Sequence, residues 1–131
     1  MRPKVLVVDD EAEFARSLSE RLELRDYDAR AVFCPEDALA VINSDPPDVV
    51  LLDYRVPGMG GADLFHAIKE FDTAIEVIMV TGHGICRTGL EGMESEAIDY
   101  LVKPVEIRDV VDKIEKALKR RGTRGNGPKG E

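Results

Sequence analysis

Apolar positions along the chain follow two rhythms that take turns. Short aliphatic runs cover Val5 to Val8, Val49 to Leu52, Ile75 to Val80 and Ala97 to Val102. An uninterrupted run such as Val49 to Leu52, bounded by loop residues, suits a strand buried on both faces of a parallel sheet. Tyr27 to Phe33 nearly alternates and reads as a half-exposed strand near a sheet edge. Between the runs the period changes to that of a helix. Phe14, Leu18 and Leu22 share one face of a helix over Glu11 to Leu24, and Glu11 and Glu13 suit its start. Pro35 opens a second helix with Leu39 and Ile42, behind Cys34 as a weak N-cap, and it stops before Asp45-Pro46-Pro47. Leu64, Ile68 and Phe71 mark a third. A fourth is expected over residues 85–95, with Gly89 and Gly92 inside it. A fifth runs from about Glu106 to Arg121, with Ile107, Val110, Val111, Ile114 and Leu118 as its stripe. Strand and helix thus alternate five times, which predicts an α/β parallel sheet covered on both faces with right-handed crossovers.

At 131 residues this is one domain, large enough to bury an ordinary core. The folded unit is expected over residues 1–121, with a flexible Gly-rich tail over 122–131. A net charge of −8 and a pI near 4.8 argue against nucleic-acid binding through a basic surface. Cys34 and Cys86 lack metal-ligand spacing and read as free thiols in a reducing compartment. No apolar run is long enough to span a bilayer and no signal peptide opens the chain, so a cytoplasmic location is expected.

The chemistry sits where strands stop. Four of them end on Asp9-Asp10, on Asp53, on Thr81 and on Lys103. In a parallel sheet these ends share one edge, where ligands bind in open α/β folds. Three carboxylates gathered there repel one another, and a divalent cation would offset their charge. An oxygen-only ligand set with room for water and a phosphate suits Mg²⁺. Lys103 could hold an anionic group beside the metal, Thr81 could donate a hydrogen bond to it, and one carboxylate could act as nucleophile for a phosphoryl group. Taken singly, each residue also has an ordinary role: Asp9-Asp10 could begin a helix, Thr81 could form a turn and Lys103 could be a surface lysine.

As a set, residues 7–11, 51–61, 80–84 and 99–104 (Val-Val-Asp-Asp-Glu, Leu-Leu-Asp-Tyr-Arg-Val-Pro-Gly-Met-Gly-Gly, Val-Thr-Gly-His-Gly and Asp-Tyr-Leu-Val-Lys-Pro) resemble the receiver domain of two-component response regulators of the chemotaxis-regulator-like kind. The resemblance covers about residues 4–120. It implies a flavodoxin-like (βα)5 three-layer sandwich with strand order 2-1-3-4-5. It implies that Asp53 accepts a phosphoryl group from a phosphohistidine on a sensor histidine kinase or a phosphotransfer domain. Asp10 and Asp53 would ligate Mg²⁺, Asp9 would help through water, and the backbone carbonyl of Arg55 would complete the site. Lys103 would pair with the phosphoryl group, and Pro104 would follow a peptide bond that is often cis in this family. Thr81 and Tyr100 would be the switch, changing the affinity of the face made by the fourth helix, fifth strand and fifth helix for a downstream protein. Arg55 and His83 would tune dephosphorylation.

The chain departs from the family pattern in places. Gly89 and Gly92 each weaken the fourth helix by ~1 kcal/mol, and Glu96 stands where a closing glycine is usual, so that helix is expected to be short or mobile. Gly60 replaces a common Asp at the start of the third helix. The leading reading is therefore a phosphoprotein of a two-component phosphorelay that is no enzyme beyond assisting its own phosphorylation and dephosphorylation. The alternatives are a Mg²⁺-dependent aspartyl-phosphate phosphohydrolase and a receiver-like binding module that works without phosphorylation. Homodimerisation stays open.

Overall fold

The computed structural model describes residues 2–53, 61–82 and 99–126, leaving aside the side chains of 61, 62 and 122–126. Its elements are β1 (Lys4–Val8), α1 (Ala12–Glu23), β2 (Asp28–Val32), α2 (Pro35–Ser44), β3 (Val49–Asp53), α3 (Gly61–Phe71), β4 (Glu76–Thr81), β5 (Asp99–Val102) and α4 (Ile107–Asn126). The strands form one parallel sheet in the order β2-β1-β3-β4-β5, the flavodoxin-like arrangement expected. The helix expected over 85–95, with Gly89, Gly92 and Glu96, lies outside the described residues, as does Gly60.

The two-residue period of a strand sorts the core into two layers. Leu6, Val8, Val50, Leu52, Val77 and Met79 face α2 and α3, where Ala38, Ile42, Leu64, Phe65 and Ile68 meet them. Val5, Val7, Val49, Leu51, Ile78 and Val80 face the other way, onto Ala15, Leu18 and Leu22 of α1 and Val110, Ile114 and Ala117 of α4. Every residue of β3 and β4 is buried, which is why their central residues, Val49 to Leu52 and Val77 to Val80, read as apolar runs. At the edge, β2 alternates between exposed and half-buried positions until Val32. Cys34 precedes α2 without a capping side-chain bond, and Pro35 occupies the first turn, where its missing N–H has no partner to lose.

Three readings change. Phe71, expected in the stripe of α3, is 46% exposed and is the last residue of its helix. Glu76, inside the apolar run of β4, is a buried carboxylate, and Arg120 Nε donates to it at 3.0 Å. The last helix continues to Asn126, past the end expected at Arg121. Arg121 Nη1 donates to the carbonyl of Ala74 at 2.6 Å and its Nε lies 3.3 Å from Asp48. These bonds tie the helix to the amino edge of the sheet. Once a helix is nucleated each further residue adds one bond, so it runs through Gly122 with no proline in the way before Pro128.

The layering makes a contrast measurable. Leu52→Ala, at a fully buried position, should lower unfolding free energy by roughly 2–5 kcal/mol in urea titrations. Leu24→Ala, at a position 82% exposed, should change it by less than about 0.5 kcal/mol. Equal losses would contradict the assignment of the core.

Candidate functional site

Strand register builds the site. β1 and β3 are neighbours with Val8 opposite Leu52, so Asp9 and Asp53 come next, side by side. Both are buried, while Asp10, one residue on, is exposed. The carboxylates of Asp9, Asp10 and Asp53 each offer an oxygen, and these oxygens lie within 4.8 Å of one another. On the other side Thr81 pairs in register with Val102, and the backbone N–H of Lys103 donates to the carbonyl of Thr81 at 2.8 Å. That bond carries Lys103 to the edge where the acids gather. Thr81 is buried, and its hydroxyl donates to the carbonyl of Leu101 at 3.4 Å.

Lys103 Nζ stands 2.9 Å from Asp9 Oδ2 and 2.5 Å from Glu11 Oε1, and lies 4.5 Å from the centre of the Phe14 ring. Burial disfavours its charged form. The hydrogen bond to Glu11 and the close negative charges of Asp9 and Asp53 outweigh that and hold its pKa above the ordinary lysine value. The peptide bond from Lys103 to Pro104 is cis. Tyr100, one strand position from Leu101, is 47% exposed.

The structure thus brings together Asp9, Asp10, Asp53 and Lys103, with Thr81 one strand over. Tyr100 stays at the edge strand's surface. Arg55 and His83 lie outside the described residues. Sequence reasoning placed Glu11 only as an acid at a helix start and Phe14 only in an apolar stripe. Their partnership with Lys103 joins residues about ninety positions apart, and no local signal marks it.

The acids fit a hard cation. All their donors are oxygen. Asp9 Oδ2 is buried and accepts no well-aligned hydrogen bond; Lys103 is close enough for an ion pair with it but not in line for a hydrogen bond.

A family model described as the response regulator receiver domain matches residues 5–115. The chain belongs to that family. This receiver domain is 34% identical over 120 residues to the phosphate regulon transcriptional regulatory protein PhoB of Pseudomonas aeruginosa, across 90% of this chain and 52% of that protein. It is 32% identical over 120 residues to the DNA-binding response regulator MtrA of Mycolicibacterium paratuberculosis, across 92% of this chain and 53% of that one. The chain therefore spans about half the length of these curated relatives. Among solved structures, a CheY-like receiver domain protein from Methanospirillum hungatei superposes with a TM-score of 0.88 at 26% identity, over 95% of this chain and 99% of that one. NtrX from Brucella abortus superposes with a TM-score of 0.90 at 28% identity, over all of this chain and 30% of that one. Receiver domains are signalling domains of two-component systems, and the family binds Mg²⁺ at an acidic pocket. The family match does not favour the phosphohydrolase or the phosphorylation-independent module. No described helix is long and apolar enough to cross a membrane.

Three like charges this close should strain the metal-free receiver domain. In the presence of a chelator, Asp10→Asn is expected to raise unfolding free energy by about 1 kcal/mol, read by denaturant titration. A loss of stability in chelator would show that repulsion among the acids is not the dominant force there.

Proposed function

We propose that Asp53 accepts a phosphoryl group from a phosphohistidine on a sensor histidine kinase or a phosphotransfer domain. The observation that carries this reading is the gathering of the Asp9, Asp10 and Asp53 carboxylates beside Lys103 at the carboxyl edge of the sheet. In the transfer an oxygen of Asp53 forms a bond to phosphorus. The phosphorus–nitrogen bond breaks, and the imidazole nitrogen leaves with the bonding pair.

Asp10 and Asp53 are the proposed direct ligands of Mg²⁺, with help from Asp9 and from the backbone carbonyl of Arg55. When bound, the ion supplies positive charge against the carboxylates and the transferring phosphoryl oxygens. Lys103 supplies a second positive charge on a half-buried stem anchored beside β4, where it holds the added anion in place. Thr81 is the proposed hydroxyl donor to the phosphoryl group. To serve it, the hydroxyl exchanges its long bond to Leu101 for a charge-assisted one.

That exchange is the start of the proposed switch. A phosphoryl group adds about two negative charges and biases a two-state equilibrium. Tyr100, half-exposed without the phosphoryl group, turns inward as Thr81 moves. The face that includes β5 and α4 then changes its affinity for a downstream protein. Beyond this the domain acts only on its own phosphoryl group, helping its addition and its loss to water, with Arg55 and His83 tuning the loss. A cytoplasmic location fits a partner with a phosphohistidine.

Incubation with acetyl phosphate and Mg²⁺ should add one phosphoryl mass to the intact protein. Omitting Mg²⁺ or substituting Asp53→Ala should abolish the adduct. Phosphate release without an adduct in the wild type, at any quench time, would instead favour hydrolase chemistry.

A further inference from the structure

Lys103 is already engaged before any phosphoryl group arrives. An ammonium has three N–H donors. Asp9 Oδ2, Glu11 Oε1 and the face of the Phe14 ring surround this one at 2.9 Å, 2.5 Å and 4.5 Å. Glu11 is held in position for this contact. Its own backbone N–H donates to Asp9 Oδ1 at 2.9 Å, so the residue is anchored to the acidic cluster that the lysine faces. The partners also differ in depth. The side chain of Asp9 is buried, whereas that of Glu11 is 63% exposed.

We propose that Glu11 is a positioning residue that latches Lys103 in the unphosphorylated state, so that phosphorylation of Asp53 requires the lysine to leave Glu11. This rests on the reading of Asp53 as the acceptor. The phosphoryl group and Glu11 then compete for one cation. Asp9 cannot be the exchanged partner at equal cost, because a buried carboxylate oxygen without another aligned bond would be stranded. Glu11, returned to water, loses little. The latch therefore acts as a mild brake on phosphorylation. It also gives the lysine a place to return to when the phosphoryl group is lost.

The test uses the whole chain with acetyl phosphate as donor. Its oxygen–phosphorus bond breaks, acetate leaves with the bonding pair, and a new bond forms between phosphorus and an Asp53 oxygen. Glu11→Gln keeps the shape and removes the charge. It should raise the phosphorylation rate constant about three-fold, the scale of an exposed ion pair. It should tighten binding of beryllofluoride, a phosphoryl mimic, by a similar factor without tightening Mg²⁺. A change in fold alone would move both affinities together. Glu13→Gln makes the same change in net charge at an exposed residue two positions on, and should leave the rate as it is. Equal rates for wild type and Glu11→Gln would overturn the latch, and so would an equal gain from Glu13→Gln. A wild type that takes up no phosphoryl mass would overturn the acceptor reading itself.

Discussion

The parallel ladder of β1, β3, β4 and β5 is the constraint on which the rest depends. Its register sets Val8 against Leu52, Asp53 against Val80 and Thr81 against Val102. Side chains alternate along each strand, so a slip of one residue would turn the core outward and scatter the site with it. The apolar runs that bury both faces of β3 and β4 thus also decide where the acids and the lysine stand. Stability and chemistry share one set of hydrogen bonds, and the link between Lys103 N–H and Thr81 carbonyl belongs to both.

Charge is the second theme. Among the described residues, the carboxyl edge holds an excess of negative groups around the half-buried Lys103, an arrangement that repels itself and attracts a cation. The amino edge is balanced differently. There Arg120 meets the buried Glu76, and Arg121 meets Asp48 and the carbonyl of Ala74. One edge is closed by matched ion pairs that hold α4 in place. The other keeps its charges in a form that a metal and a phosphoryl group can rearrange.

Lys103 shows how such a site is poised. It is desolvated enough for its interactions to be strong, yet one of its partners is solvent-exposed and exchangeable. Depth separates the two roles: Asp9 keeps the lysine in the site, and Glu11 decides how readily it turns to another anion. An exposed acid is suited to the second role because water takes it back at little cost.

The fold and the main site were legible in the residues because both depend on local pattern. A run such as Val49 to Leu52, short and bounded by loop residues, suits a doubly covered strand, and a strand's end says which residue reaches the edge. The five-fold alternation then leaves few topologies open. What stayed hidden depends on distance and competition. Phe71 has the right period for the core but ends its helix half-exposed. Glu76 looks misplaced in an apolar run until Arg120 arrives from the far end of the chain. The end of α4 was set by anchoring bonds and by the absence of an early proline, against the low propensity of Gly122. The sequence by itself determined the architecture, the acids and the lysine at one edge, and the family. Only the tertiary structure decided which partner each charge keeps, because an ion pair is chosen by position, burial and solvent access, none of which is a property of the local chain.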